Sequence, residues 1–351
     1  MNILFEIGHP AHFYKFENTI KTLSAKNHRV IVIIRDSPIV ISLLRKSGFT
    51  FFIIGRKKDH FVAKAFMQML YLLKTYRLIK QNNIDLMVGS VTTTLLSKLT
   101  SIPSLLMDDD DDEIEPLYVK YVHPFATAIL SPDSLNGKRK RKDTVYYPGY
   151  HELAYLHPNQ FTADSSVLLE LGLKSDEPYF VLRFNAFKAH HDVKAEGLSF
   201  ENKRRLIKIL EAKGKVFISS ERAIDKEFEK YQLNLSPEKM HSVLYFATMF
   251  LGDSQTMTSE AAVLGTPALK CNSFAGKLSV PNELEYKYQL CYSFLPISSE
   301  GFFEKIEELI ITPNLKSIFK IRKERMLADK IDVTEFYISY IETFLERRTS
   351  K

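Results

Sequence analysis

Short apolar runs alternate with amphipathic segments over the first 130 residues of the chain. The apolar runs have the length of buried strands, and the segments between them have the period of helices. This alternation predicts a doubly wound parallel sheet flanked by helices. The predicted strands are Asn2–Ile7, Arg29–Ile34, Phe51–Ile54, Leu86–Val88, Ser104–Met107 and Ala128–Leu130, and the predicted helices are His12–Ala25, Ser37–Lys46, Ala63–Gln81 and Thr93–Thr100.

The pattern is interrupted between residues 146 and 158, where prolines, a glycine and aromatic residues are concentrated. A second alternation follows this segment. Its predicted strands are Tyr179–Phe184, Val216–Ser219, Met249–Leu251 and Ala268–Cys271, and its predicted helices are Ser199–Gly214, Ile224–Tyr231, Glu238–Ala247, Ser299–Ile311, Asn314–Leu327 and Val333–Arg348. Because 351 residues exceed the size that one core usually serves, we predict two α/β domains, residues 1–150 and 151–332, joined by a linker at 146–158.

The most informative motif begins at Gly252, where the sequence GDSQTMTSEAAVLGTP follows a predicted strand and opens a helix. Ser254 and Thr256 lie where a helix cap belongs, so the first turn presents backbone N–H groups without intrahelical partners. Together with the positive end of the helix dipole, these donors predict a phosphate site. Glu260, one turn further on, is placed to accept hydrogen bonds from vicinal hydroxyls such as those of a ribose. An ordinary strand-to-helix turn with a capping residue has the same local pattern.

The motif resembles the nucleotide-binding segment of GT-B nucleotide-sugar enzymes, for example the D-S-G-G-x-x-E-E-A pattern of non-hydrolysing UDP-N-acetylglucosamine 2-epimerases. Asp253, Ser254, Glu260 and Ala261 match that pattern, whereas Gln255 and Thr256 replace its glycines and Ser259 replaces its first glutamate. Over nearly its whole length the chain is similar to the domain of unknown function 354 family, through residues 7–12, 149–158 and 329–334. The resemblance implies two Rossmann-like domains facing a central cleft, with a C-terminal helix (333–351) that crosses back to the first domain.

Charge and composition indicate which classes of partner and which cellular compartment to expect. The net charge is +6, and much of it comes from the basic tract Lys138–Lys142. Such a tract is a solvated loop or contacts anionic lipid headgroups or an anionic acceptor. Nucleic acid is not expected, because no aromatic side chains are interleaved with the basic ones. The chain has no apolar run of about 18 residues and no leader ahead of its first strand. With two cysteines, Cys271 and Cys291, and no disulfide framework, we expect a cytoplasmic protein that is either free in the cytoplasm or peripheral at the inner membrane face.

Candidate catalytic residues follow predicted strands of the first domain. His9 and His12 lie after the first strand, where either can act as a general base or donate to a phosphate, or simply cap the helix. Their loop resembles the glycine- and histidine-bearing loop of GT-B transferases such as the peptidoglycan N-acetylglucosaminyltransferase. Within the acidic run 108–112, Asp108 or its neighbour is a candidate base, while most of the run is expected to face water. Ser90 stands where the 2-epimerases carry an acid/base aspartate. The resemblance therefore implies that this chain lacks that acid/base group, which argues against epimerisation.

The second domain offers cationic residues after its first strand. Arg183 and Lys188 are candidate counter-charges for a leaving diphosphate, and the resemblance implies a diphosphate contact from His190 or His191. That histidine pair lacks a third spaced ligand, so we expect no metal. The predicted nucleotide-sugar site comprises Arg183, Asn185, Lys188, His190, His191, Ser219, Ser254, Gln255, Thr256, Glu260 and Lys277.

Three functions fit these residues. The first is a GT-B glycosyltransferase that uses a nucleotide-diphosphate sugar, implied by the resemblance to be a UDP-sugar, in surface polysaccharide or glycolipid biosynthesis. Such an enzyme needs no bound cofactor, and its acceptor is an unidentified sugar or lipid-linked molecule. The second is a 2-epimerase-like enzyme or a UDP-sugar hydrolase. The third is a nucleotide-sugar-binding protein without turnover.

Overall fold

The computed structural model describes residues 1–56, 61–184, 197–220 and 224–349. The chain divides into two compact units. Unit 1 consists of Met1–Gln160 together with Ile331–Lys351, and unit 2 consists of Phe161–Lys330.

Unit 1 is built on a seven-stranded parallel sheet with the strand order β3-β2-β1-β4-β5-β6-β7. Its strands are β1 Asn2–Ile7, β2 Arg29–Asp36, β3 Phe51–Arg56, β4 Leu86–Gly89, β5 Ser104–Met107, β6 Ala128–Pro132 and β7 Val145–Tyr147. Its helices are α1 Pro10–Ala25, α2 Pro38–Lys46, α3 Phe61–Asn82, α4 Val91–Thr100, α5 Pro116–Tyr121, α6 Leu153–Leu156 and, from the C-terminal segment, α14 Val333–Thr349. The central strands are apolar and buried along nearly their whole length, because helices cover both faces of a parallel sheet.

Unit 2 contains a five-stranded parallel sheet with the order β12-β11-β10-β8-β9. Its strands are β8 Tyr179–Arg183, β9 Lys215–Ser219, β10 Met249–Gly252, β11 Ala268–Cys271 and β12 Cys291–Phe294. Its helices are α7 Ser166–Glu170, α8 Phe200–Glu211, α9 Met240–Phe246, α10 Gln255–Leu264, α11 Ser279–Asn282, α12 Ser299–Ile311 and α13 Leu315–Asp329. Cys271 and Cys291 are buried free thiols on neighbouring strands.

The predicted α/β class with two parallel sheets is confirmed, but several local predictions are wrong. The segment 146–158, predicted as a linker, forms β7 and α6 in unit 1. Its prolines and glycine resemble a linker, yet Tyr147, Tyr150 and Leu153 are almost completely buried. Burial of this aromatic and aliphatic surface outweighs the local turn preferences.

Two predicted helices of unit 2 are shorter than their periodicity indicates. The predicted helix at 224–231 is the 3₁₀ helix Lys226–Tyr231, and the predicted helix at 238–247 is α9, preceded by a 3₁₀ turn at Pro237–Lys239. Strand β12 was not predicted, because it is one short segment with no alternating pattern. At the C-terminus, α14 packs against α1 and α6 of unit 1.

The order of the strands places one crevice in each unit. In a doubly wound sheet, ligands bind outside the carboxyl ends of the strands where the winding direction reverses. In unit 1 this reversal lies between β1 and β4, and in unit 2 it lies between β8 and β10. The loops after these four strands are therefore the places to look for a site.

Candidate functional site

The winding reversal of unit 2 leads directly into the N-terminus of α10. Strand β10 ends at Gly252, and α10 begins at Gln255 after the cap residue Ser254, whose Oγ accepts from the Met257 N–H (3.5 Å). Asn272, after β11, holds the connecting turn by donating from Nδ2 to the carbonyl of Asp253 (2.9 Å). The first N–H groups of the helix have no intrahelical acceptor and lie at the positive end of the helix dipole.

Gly252 allows β10 and β8 to approach closely at this point. A Cβ at residue 252 would lie 2.1 Å from the carbonyl oxygen of Arg183, which accepts from the Asp253 N–H (3.1 Å). On the neighbouring strand, the Ser219 Oγ accepts from Nη1 of Arg183 (3.3 Å). The structure thus brings together Arg183, Ser219 and Ser254, three of the residues predicted from the sequence.

Lys270 is a component of this site that sequence analysis missed. It lies in β11 with 1% of its surface exposed, and its Nζ donates to Oε1 of Gln255 (2.6 Å). Burial lowers the pKa of Lys270 to about 8. The available sequence signal was a lysine in the middle of the apolar strand Ala268–Cys271, where an unpaired charge is costly.

The contact with Lys270 fixes the orientation of the Gln255 amide. Because an ammonium group only donates hydrogen bonds, the amide atom that faces it is the oxygen, and the amide NH₂ points elsewhere. The Nε2 atom is buried and has no hydrogen-bond partner among the residues that the structure describes. A buried donor without a partner is uncommon in folded proteins, and here it lies on the first turn of α10.

Glu260 lies on the side of α10 that contacts α9. Its carboxylate is 3.3 Å from Nε2 of His241, and both residues are buried. His241 was not predicted, since nothing in the sequence relates α9 to α10. The ribose-binding role of Glu260 stays a prediction.

The remaining residues predicted for this site fall into two groups. Thr256 is half-buried on the first turn of α10, and Lys277 is exposed after β11. Asn185, Lys188, His190 and His191 lie outside the described residues, so their roles stay predictions.

At the winding reversal of unit 1, both predicted histidines belong to the start of α1. His9 is the N-cap residue and accepts from the Ala11 N–H at Nδ1 (3.2 Å). His12 accepts from the Gly8 N–H at Nδ1 (3.4 Å). Burial, with a contribution from the nearby Lys15 charge, lowers the pKa of His12 to about 3. At neutral pH His12 is therefore an uncharged imidazole that accepts at Nδ1 and carries its proton on Nε2.

Two aspartates of the acidic run after β5, Asp108 and Asp112, are buried and two, Asp109 and Asp111, are half-buried, whereas most of the run was expected to face water. Asp108 is buried, and its carboxylate contacts Nη1 of Arg139 (3.0 Å) and Nε2 of His123 (2.7 Å). Arg139 also contacts the buried Asp112 (2.7 Å). Of the five aspartates only Asp110 is exposed. Desolvation and the neighbouring carboxylates of Asp109 and Asp108 raise the pKa of Asp110 above its usual range.

A second charged cluster, formed by Lys15, Asp109 and His151, lies beside this run. Asp109 is contacted by Nζ of Lys15 on one oxygen and by Nδ1 of His151 on the other, each at 2.7 Å. Burial alone would lower the pKa of His151, but the carboxylates of Asp109 and Glu152 outweigh it and raise the pKa to about 9. Neither Lys15 nor His151 was predicted, because they are separated from Asp109 by 94 and 42 positions in the sequence.

Comparisons with known proteins bear on the family and the fold. A sequence model of the family described as "Protein of unknown function (DUF354)" matches residues 1–293. No curated protein matches the sequence.

Several solved structures are similar to this chain over its length. A co-structure of S. aureus MnaA with UDP has 13% identity and a TM-score of 0.71, covering 98% of this chain and 97% of that one. The UDP-GlcNAc 2-epimerase from Neisseria meningitidis bound to UDP-GlcNAc has 11% identity and a TM-score of 0.69, covering 98% and 100%. The spinosyn forosaminyltransferase SpnP has 14% identity and a TM-score of 0.64, covering 99% of both chains. At such identities the likeness establishes the fold, which is the GT-B fold predicted from the sequence.

Proposed function

We propose that this chain, which belongs to the DUF354 family, is a glycosyltransferase that uses a nucleotide-diphosphate sugar, with a UDP-sugar as the donor. The observation that carries the proposal is the buried, unpartnered Nε2 of Gln255 on the first turn of α10, at the winding reversal of unit 2. The presence of UDP or UDP-GlcNAc in two of the similar structures supports the choice of nucleotide.

The donor diphosphate is assigned to the N-terminus of α10. The backbone N–H groups of the first turn and the Gln255 amide donate to its oxygens, and Arg183 supplies a full positive charge. These groups matter most as the bond between the anomeric carbon and the diphosphate breaks, because the nucleotide then leaves with the electron pair and its negative charge increases. The charge of Lys270, behind Gln255, acts in the same direction.

The ribose is assigned to Glu260. A carboxylate binds two neighbouring hydroxyls by accepting one hydrogen bond on each oxygen. His241 is 3.3 Å from one of these oxygens and holds the side chain in place. Binding would then place the nucleoside along α10, with the diphosphate at its start.

Activation of the acceptor is assigned to the carboxyl ends of β1 and β5 in unit 1. The acceptor hydroxyl must lose a proton as its oxygen attacks the anomeric carbon. Asp108 is ion-paired with Arg139 and contacts Nε2 of His123, and its predicted role as a base is better filled by Asp110, an exposed residue whose pKa is raised by desolvation of its carboxyl and by the neighbouring carboxylates. His12, neutral with its proton on Nε2, is suited to donate a hydrogen bond rather than to act as the base.

A second candidate function is the epimerisation or hydrolysis of a UDP-sugar. The carboxyl groups of Asp109 and Asp110, close to each other after β5, favour it because such chemistry needs acid and base groups on the sugar. Ser90, the N-cap residue of α4, stands where the 2-epimerases carry an acid/base aspartate, which counts against this second function. Incubation with UDP-GlcNAc alone separates the two functions.

The experiment follows UDP-GlcNAc by proton NMR after its binding has been measured by calorimetry. A transferase binds the donor and leaves it intact until an acceptor, for example a lipid extract or a polysaccharide fraction, is added. Conversion to the 2-epimer, or release of free sugar in the absence of acceptor, would establish the second candidate instead. A chain that binds neither UDP nor UDP-GlcNAc would refute both.

A further inference from the structure

One surface of unit 1 combines exposed apolar side chains with exposed lysines. The apolar part lies on α5 and the turns on either side of it. Ile114, Leu117, Tyr121 and Phe125 expose 38%, 70%, 55% and 36% of their surfaces. Leu117 and Tyr121 are spaced by four residues and lie on the same side of α5, whereas Ile114 precedes the helix and Phe125 follows it. Tyr118 and Val122, the residues that follow Leu117 and Tyr121, pack on the core of unit 1.

The basic tract Lys138–Lys142 runs beside this apolar surface, and the structure shows what holds it there. Arg139 is buried, donating to Asp108, Asp112 and the Asp110 carbonyl. The next arginine, Arg141, donates to the carbonyls of His123 and Ala126 at 2.7 Å each, on either side of Phe125.

The lysines of the tract alternate with these arginines and are exposed. The backbone N–H of Lys140 donates to Asp112 (2.7 Å), two residues before Ile114, which places this lysine at the start of the apolar segment. Lys138 and Lys142 flank it in sequence and are exposed as well. On α5 itself, the Lys120 ammonium lies 5.1 Å from the centre of the Tyr121 ring. Exposed carboxylates also lie on or beside this surface, namely Asp110, Glu113, Glu115 and Asp143, and Asp143 is ion-paired with Arg141.

We propose that this surface, formed by residues 114–125 and 138–142, docks onto a membrane that contains anionic lipids. Apolar side chains insert into the boundary between headgroups and acyl chains, and lysines around them bind anionic headgroups. Neither feature suffices alone: four apolar side chains bind weakly and reversibly, and lysines bind at the surface without insertion. None of the helices in the described part of the chain is long and apolar enough to span a bilayer. Docking at this surface therefore supplies membrane contact without a spanning segment, and it does not depend on the proposed nucleotide site, which lies in unit 2.

The test is co-sedimentation of the full chain with vesicles of phosphatidylcholine alone or with about 30% phosphatidylglycerol. We expect binding to the anionic vesicles that weakens as salt is added. Replacing Lys138, Lys140 and Lys142 with glutamine should lower the partition coefficient by about 100-fold. Leu117→Ser should lower it by about 10-fold.

Matched controls keep the test specific. Leu169→Ser removes a leucine that is 82% exposed in unit 2. Replacing the exposed Lys174, Lys213 and Lys320 of unit 2 with glutamine makes the same change in net charge. Neither control should alter vesicle binding, and the melting temperature of every variant confirms folding. Equal loss of binding in the controls, or no binding of the wild type to anionic vesicles at low salt, overturns the proposal. A surface that binds a second copy instead would appear in sedimentation velocity as self-association abolished by Leu117→Ser, which also overturns it.

Discussion

The Nζ of Lys270 donates to Oε1 of Gln255 at 2.6 Å, so a buried lysine of β11 fixes an amide on the first turn of α10. We predict that Lys270→Met weakens UDP binding by about tenfold, since the charge behind the helix N-terminus is lost and the Gln255 amide is free to turn. The free energy of unfolding without ligand should not fall, because burying a charged lysine is costly. Calorimetric titration with UDP measures the first effect and urea denaturation the second.

The hydrogen-bonded pair of Lys270 and Gln255 also predicts that the affinity for UDP depends on pH. The pKa of Lys270 is lowered to about 8, so the ammonium is present below pH 8 and is lost as the pH rises through that value. The affinity of the wild type for UDP should fall more steeply between pH 7.5 and about 9 than the affinity of Lys270→Met. Lys320→Met, on an exposed lysine, is the control and should behave like the wild type. Parallel curves for the wild type and Lys270→Met would contradict the assignment.

Glu260→Ala tests the proposed ribose-binding role of Glu260. We expect it to weaken UDP binding by about 1–3 kcal/mol, the effect of losing hydrogen bonds between a carboxylate and two hydroxyls. The affinity for inorganic pyrophosphate should not change, because that ligand has no ribose. Loss of affinity for both ligands would mean that the pair with His241 supports the helix rather than the nucleoside.

Gly252→Ala tests the close approach of β10 and β8. Its Cβ would lie 2.1 Å from the Arg183 carbonyl oxygen, so the end of the strand must shift, and the proposed phosphate site must shift with it. We expect loss of UDP binding and a loss of stability of several kcal/mol. Gly172→Ala is a matched control, since that glycine also has a positive φ but has nothing within 4 Å of its Cβ position. It should cost about 1 kcal/mol and leave UDP binding unchanged.

The two neighbouring aspartates of unit 1 should respond differently to the same substitution. Asp108→Asn breaks a buried ion pair and should lower the free energy of unfolding by about 3 kcal/mol. Asp110→Asn removes an exposed carboxylate from a group of like charges and should leave stability unchanged or slightly higher. Urea denaturation of both variants measures this. Turnover with an acceptor should fail in Asp110→Asn while donor binding persists; retained turnover would remove the proposed base.

The raised pKa of His151 makes the free energy of unfolding depend on pH. Its pKa is raised from 6.5 to about 9 in the folded protein, so its contribution is complete below pH 6.5 and is lost as the pH rises through 9. The free energy of unfolding of the wild type should therefore fall between pH 6.5 and 9 by on the order of 2 kcal/mol more than that of His151→Asn. In that variant Asp109 keeps Lys15 as a partner. Identical slopes for the two proteins would show that the cluster is not charged as described.

Much of the fold was predictable because it depends on patterns that are local in the sequence. The proposed site residues follow strands that are continuous apolar runs in the sequence. The cap residue of α10, Ser254, can likewise be recognised within its own motif. The segment 146–158 was predicted wrongly because its local signals, proline and glycine, compete with burial of Tyr147, Tyr150 and Leu153 against helices far away in the chain. Burial of that kind cannot be read from neighbouring residues.

The sequence by itself determined the two parallel sheets, the order of strands and helices along the chain, and the helix cap at Ser254, because hydrophobic periodicity and helix capping act within a few residues. Only the tertiary structure decided the partners of the charged residues. In the folded chain Arg139 forms an ion pair with Asp108, and Asp109 contacts both Lys15 and His151. Lys270 donates a hydrogen bond to Gln255. A buried charge is stable only beside a partner, and the crossing of strands and helices in three dimensions determines which partner that is.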